Sequence, residues 1–260
     1  MMNFKLVSYE IKDRIAYISL NRPEKRNAFN EDLVNELKKA FINAEEDKNV
    51  RIVVLGGKGK AFSAGADLEY LQSLQKNSFE ENLADSNNLK ELYQHIYEFK
   101  KIVIAKVEGH AIAGGAGLAS ACDFTFAIPD ALFGYTEVKI GFIPAIVMVF
   151  LLRKIGEAKA KELLLTGRLI SAEDAKGFGL VNQVFPAELI GNAVHTFAVE
   201  LANSTSAQSI TNTKEMINNL AIMSLNQAFN YAAEMNAKGR ENSDCKRGIQ
   251  AFLNKEKMQW

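Results

Sequence analysis

The chain is poor in cysteine: only Cys122 and Cys245 occur in 260 residues. Two thiols so far apart define no disulfide framework, and no Cys/His spacing suited to a metal accompanies them. Cys122 sits in an apolar segment, where a small buried hydrophobe is expected rather than a reactive thiol. An excess of either charge is missing too, since Lys+Arg and Asp+Glu each number 31. That balance offers no basic field for nucleic acid. The run Met1-Met2-Asn3-Phe4-Lys5 lacks the basic-then-apolar pattern of a signal peptide and the Arg- and Ser-rich character of a transit sequence. The longest apolar stretch, Ile143 to Leu152, is too short for a bilayer. Together these absences lead to the expectation of a cytoplasmic protein without membrane span, metal or redox cofactor.

What is present is enough apolar material, 48% of the residues, for one full core or a core plus a helical extension. Ile15 to Leu20 reads as a strand that Asn21-Arg22-Pro23 ends, and Asn30 as the N-cap of a helix over Leu33 to Ala44. Ile52 to Leu55, Ile102 to Val107 and Asp123 to Ala127 read as further strands. Gln72 to Asn88 is polar and loosely patterned, as a loop or short helices would be, before a helix over Leu89 to Phe99. The recurrence of strand, turn, helix, strand suggests stacked ββα units around one core. After Pro186 only helical periods remain, at Glu188 to Leu201, Gln208 to Leu220 and Leu225 to Lys238. The expected division is an α/β core over residues 1–186 and a helical region over 187–260.

Two small-residue turns dominate this pattern. Ala61-Phe62-Ser63-Ala64-Gly65-Ala66-Asp67-Leu68 follows the β-branched run ending at Leu55. Gly109-His110-Ala111-Ile112-Ala113-Gly114-Gly115-Ala116-Gly117-Leu118 follows the run ending at Val107. A strand that feeds such a turn and then a helix leaves backbone N–H groups unpaired and pointing outward. Either turn alone is explained by close packing of elements. The pair can aim two N–H donors at one developing oxyanion.

These segments, with Asn21-Arg22-Pro23-Glu24-Lys25-Arg26-Asn27-Ala28-Phe29, Phe133-Gly134-Tyr135-Thr136-Glu137-Val138-Lys139-Ile140-Gly141 and Thr166-Gly167-Arg168, resemble the crotonase (enoyl-CoA hydratase/isomerase) superfamily. The likeness runs collinearly from about Asn3 to the C-terminus. It implies a ββα superhelical core, a C-terminal helical trimerisation region, and a homotrimer or homohexamer that acts on acyl-CoA thioesters. By position in the matching motifs it implies Ala66 and Gly114 as the two oxyanion N–H donors. It also implies CoA contacts from Arg26, from the backbone of Ala64, Asp67 and Leu68, and from Phe252 and Lys255 near the C-terminus, often of a neighbouring subunit. For Arg26, Phe252 and Lys255 a solvated surface role stands as the alternative.

Hydratases of that family usually carry two glutamates. The first falls on Gly117 and is absent; the second falls on Glu137 and is present. The apolar residues around Glu137 would raise its pKa and suit it to proton transfer, against the alternative of a surface carboxylate in a turn. One carboxylate suffices for a 1,3-proton shift, so a Δ3-Δ2 enoyl-CoA isomerase is the alternative to a hydratase. Ile143-Pro144-Ala145-Ile146-Val147, with Gly117-Leu118 and Glu137 to Gly141, looks like bacterial methylglutaconyl-CoA hydratases of leucine breakdown and places hydratase first. A non-catalytic acyl-CoA-binding protein ranks below both. One relative of those hydratases also binds RNA through a lysine-rich helix, but the matching helix here offers only Lys38 and Lys39 among five acidic residues.

Overall fold

The computed structural model describes residues 4–260, so the N-terminal reading at Met1 to Asn3 lies outside the described residues. The chain opens with a hairpin, β1 (Val7–Lys12) and β2 (Ile15–Leu20). Its two turn residues, Asp13 and Arg14, both take positive φ, 52° and 66°, the conformation a tight hairpin demands. A 3-10 turn at Pro23–Lys25 leads to α1 (Glu31–Glu46), where the Asn30 side chain accepts from the Leu33 amide as its N-cap.

The pattern then repeats three times. First come β3 (Ile52–Gly57), β4 (Ala61–Ser63), α2 (Leu68–Leu74) and α3 (Phe79–Tyr97). Next come β5 (Ile102–Val107), β6 (His110–Ile112) and α4 (Gly114–Ala121). The third unit is β7 (Phe124–Ala127), β8 (Leu132–Gly134), a 3-10 turn at Glu137–Ile140 and α5 (Ala145–Thr166). Then follow β9 (Leu169–Ser171), α6 (Ala172–Gly177) and β10 (Gln183–Val184). Four helices end the chain: α7 (Ala187–Ser204), α8 (Ala207–Leu220), α9 (Leu225–Glu241) and α10 (Ser243–Leu253).

Within each unit the longer strand joins one sheet and the short strand joins a second. The larger sheet has the order β1-β2-β3-β5-β7-β10 and the smaller β4-β6-β8-β9. Strands β2, β3, β5, β7 and β10 are parallel neighbours, as are β4, β6 and β8. This is the stacked ββα arrangement expected from the sequence.

The large sheet is apolar on both faces, as parallel strands covered on both sides must be. Residues alternate along each strand. Ala16, Ile18, Val53, Leu55, Val103 and Ala105 enter the main core with α1, α3 and α4. Ile15, Ile52, Val54, Ile102 and Ile104 face the other way and are covered by Ile190, Val194, Ala198 and Ala202 of α7. The first helix after Pro186 therefore roofs the sheet, while α8, α9 and α10 expose Ile217, Leu225, Phe229 and Phe252, and the α8–α9 connection exposes Ile222.

Two local readings change. The segment from Gln72 to Asn88, expected as a loop or short helices, holds the end of the short α2 and the first turns of the long α3, which starts at Phe79 because Ser78 and Glu81 form a reciprocal capping box there. The second small-residue segment is not all turn: its helix starts at Gly114, so the glycines are themselves the first helical turn.

Candidate active site

Strands β4, β6 and β8 lie side by side and run in the same direction, so their C-terminal ends open on one edge. The chain leaving β4 carries Ala66, the chain leaving β6 carries Gly114, and the chain leaving β8 carries Glu137. Sequence distance is bridged: residues 66, 114 and 137 each follow the end of one of three adjacent parallel strands.

The first turn is held from outside. Phe29 donates its amide to the Gly65 carbonyl at 2.7 Å and accepts from the Asp67 amide at 2.9 Å. In a parallel bridge of this kind the residue between, Ala66, turns its own amide away from Phe29. Buried Asn27 adds support, donating to the carbonyls of Lys58 and Ala61, while Ser63 Oγ donates to the Asn27 carbonyl. Gly65 has φ 87°, and a Cβ placed there would lie 2.8 Å from Ala113 Cβ and 3.2 Å from the Gly114 nitrogen. Only glycine lets the two turns approach so closely.

The second turn is strained. Ala113 takes φ 51° and ψ −120°, a conformation glycine ordinarily fills. Its amide donates to the Gly134 carbonyl at 2.7 Å, which ties this turn to the end of β8. The peptide that follows presents the Gly114 N–H as the first donor of α4, where the helix itself supplies no acceptor. The positive end of α4 points the same way. Ala66 and Gly114 are both half-buried.

Glu137 opens the 3-10 turn after β8 and is 8% exposed. Its Oε2 is buried without a hydrogen-bond partner among the described residues. Burial pushes its pKa above the ordinary glutamate value, opposed only by a hydrogen bond to its own backbone. A buried, unpaired carboxylate is costly to leave in a fold, and such groups cluster where proton transfer occurs.

The missing carboxylate has a structural counterpart. A Cβ at Gly117 would stand 2.2 Å from Val147 Cγ1 and 3.2 Å from the Tyr93 ring. Val147 of α5 fills the place a side chain at 117 would need. Tyr93 of α3 is wholly buried and donates its hydroxyl to the Gly114 carbonyl at 2.6 Å. Neither Tyr93 nor the Asn27 network stood out in the sequence.

The other expected residues divide. Ala64 and Asp67 flank the first turn, but their amides are engaged, Ala64 with the Arg26 carbonyl at 3.0 Å and Asp67 with Phe29. The Asp67 carboxylate pairs with Arg22 Nη1 at 2.6 Å and caps α2 through the Glu69 amide. Leu68 is 70% exposed beside it, and Arg26 is exposed on the rim. Phe252 and Lys255 are exposed, at the end of α10 and just beyond it. The C-terminal segment is instead tied down by Trp260, which bonds Asn203 and Arg14 through its backbone, and by Ser206 on Asp244.

Histidines stay outside the site: His95 pairs with Glu45, His195 with Tyr17, and His110 accepts from the Leu132 amide. Cys122 is buried, its thiol pushed up to about 12 by burial. Among the described residues no cluster of His, Cys, Asp or Glu could hold a metal, and no helix is long and apolar enough to cross a membrane.

Two sheets in ββα register, with two small-residue turns and a buried carboxylate following adjacent parallel strands, define the fold class. The chain belongs to the enoyl-CoA hydratase/isomerase family, whose model matches residues 10–260. A Thermus thermophilus relative, provisionally named an enoyl-CoA hydratase, is 45% identical over 244 residues, covering 94% of this chain and 96% of its own. The mitochondrial enoyl-CoA hydratase of Pongo abelii is 36% identical over 260 residues, covering 98% of this chain and 87% of its own. The crystal structure of an enoyl-CoA hydratase from Shewanella pealeana superposes with a TM-score of 0.93 at 29% identity, over 99% of this chain and 96% of that one.

Proposed function

We propose that the protein is an enoyl-CoA hydratase that adds water across the double bond of a 2-enoyl-CoA thioester. What supports this reading is that the turns bearing Ala66 and Gly114 and the 3-10 turn bearing Glu137 follow adjacent parallel strands, and that Glu137 Oε2 is buried there without a partner among the described residues. In this mechanism the thioester oxygen sits between the two amides. Glu137 takes a proton from water as the water oxygen bonds to C3, and the electron pair of the double bond moves towards the thioester oxygen. The resulting enolate is stabilised by the two amides, each worth about 3–4 kcal/mol in comparable sites. Glu137 then returns the proton to C2. No metal or redox step is required, and coenzyme A is part of the substrate.

A second reading has its own observation. With Gly117 backed by Val147, one carboxylate serves the site, and one is enough to move a proton from C2 to C4 in a Δ3-Δ2 isomerase. Incubation with crotonyl-CoA and with a 3-enoyl-CoA, read by mass spectrometry, separates them. Hydration of crotonyl-CoA adds 18 mass units, one water. Turnover of the 3-enoyl substrate alone, with no change of mass, would overturn the hydratase reading. Preference for 3-methylglutaconyl-CoA over crotonyl-CoA would support a place in leucine breakdown.

Arg26 and the Ala64–Leu68 rim are read as the CoA approach. Residues 1–186 are read as the thioester-binding core, and residues 187–260 as the region through which subunits assemble into a homotrimer or homohexamer. The exposed apolar side chains of α8, α9 and α10 support that assembly. Phe252 and Lys255 would then reach the CoA of a neighbouring subunit.

A further inference from the structure

Tyr93 has no part in the mechanism above, yet it touches both halves of the donor pair. Its hydroxyl donates to the Gly114 carbonyl at 2.6 Å. Its ring meets Phe29 edge to face, 6.5 Å between centroids, and stacks on Phe150 at 6.0 Å. Phe29 in turn clasps the first turn through its backbone bonds to Gly65 and Asp67. The Phe29 ring also reaches the second turn, since a Cβ at Gly114 would lie 3.2 Å from it. A single wedge of two aromatic rings thus spans Gly65-Ala66-Asp67 on one side and Gly114 on the other.

We propose that Tyr93 is a positioning residue that sets the direction and spacing of the Ala66 and Gly114 amides, through its hydroxyl on Gly114 and its ring on Phe29. The proposal rests on the oxyanion reading given above. Ala113, with φ 51°, leaves the peptide before Gly114 in a conformation that persists only when the surroundings over-determine it. Two restraints do so: the Ala113 amide on Gly134, and the Tyr93 hydroxyl one peptide further on. Burial, reinforced by the negative charge of Glu137, keeps the phenol well above its ordinary pKa. It therefore stays a neutral donor over any working pH, which a carbonyl partner requires. The ring has room because residue 117 is glycine.

Tyr93→Phe keeps the ring and removes the hydroxyl. Expected is a fall in kcat of about 10- to 100-fold, the size that a small misplacement of catalytic groups produces. KM should change little, because the lost interaction acts in the transition state. Difference infrared spectroscopy of bound butyryl-CoA, isotopically labelled at the thioester carbonyl, supplies a second readout. The downshift of that carbonyl on binding should shrink in the variant. Phe29→Leu, which keeps the backbone clasp and removes the aromatic edge, should move both readouts in the same direction by less, and it serves if Tyr93→Phe fails to fold. Wild-type kcat and an unchanged carbonyl shift in these variants would overturn the proposal. So would a loss of butyryl-CoA affinity with the carbonyl shift intact. Absence of any downshift in the unmodified protein would instead overturn the oxyanion reading itself, whatever the variants do.

Discussion

Glu137 shows how a single residue can be poorly placed for stability and well placed for chemistry. Burial raises its folded-state pKa above the unfolded value, so the folded state holds its proton more tightly. Below the ordinary glutamate value, about 4.3, both states are protonated and the penalty is absent. As pH rises through the folded pKa, the unfolded state gains more by ionising, and stability falls. Glu137→Gln should therefore raise the melting temperature at pH 7 to 8 and leave it unchanged near pH 3.5, measured by calorimetry across pH. The same variant should lose about 10²–10⁴-fold in turnover, the usual worth of a general acid–base. A variant no more stable at neutral pH than the wild type would show that the carboxylate is not destabilised by burial. The acid limb of kcat/KM should lie above the ordinary glutamate range for the same reason.

At the scale of elements, the Arg22–Asp67 ion pair ties the start of the first 3-10 turn to the start of α2, next to Ala66. Burial pushes the Asp67 carboxylate up, but the Arg22 guanidinium and the Glu69 and Tyr70 amides outweigh it, and the net pKa lies below the usual value. A depressed carboxylate stabilises above its unfolded pKa, and that contribution is lost as pH falls through the folded one. Asp67→Ala removes an N-cap worth about 1 kcal/mol and leaves Arg22, largely buried, without its ion partner. The melting temperature should drop by several degrees at pH 7, and the gap should narrow towards pH 2, as thermal melts at both pH values would show. An equal gap at both would place the loss outside the ion pair. Strands β2, β5 and β7 and the Asn30 cap were legible in the sequence because short continuous apolar runs and capping chemistry are local. The α3 start at Phe79 was less so, because its loosely patterned first turns are fixed by a capping box rather than by apolar period. Tyr93 lay within the expected helix over Leu89 to Phe99, but helical period says only that a residue is buried. What it meets across the core, Gly114 and Phe29, follows from topology. Gly117 was visible as an absence; that Val147 fills the space was not, since α5 reaches it from thirty residues on.

For the whole molecule, the apolar surface is distributed unevenly. Ile217, Leu225, Phe229, Phe252 and Leu253 on the last three helices, and Ile222 between α8 and α9, are all more than half exposed, as are Ile140, Phe142 and Ile143 after β8. Surface of that kind asks for a partner, and a closed cyclic assembly buries it without leaving free ends. Light scattering after gel filtration at micromolar concentration should give a mass about three or six times the 28.8 kDa of one chain. A stable monomer would contradict the assembly proposed here.

The parallel run β4-β6-β8 also acts as a ruler. Adjacent strands are spaced about 4.8 Å apart by their hydrogen-bond ladder, and the groups hung on their ends inherit that pitch. Ala66, Gly114 and Glu137 follow three successive graduations, so backbone pairing sets the order in which the three stand along the edge. A residue that follows one graduation, such as the glycine at 117 inside α4, can be exchanged while the scale itself stays uncut.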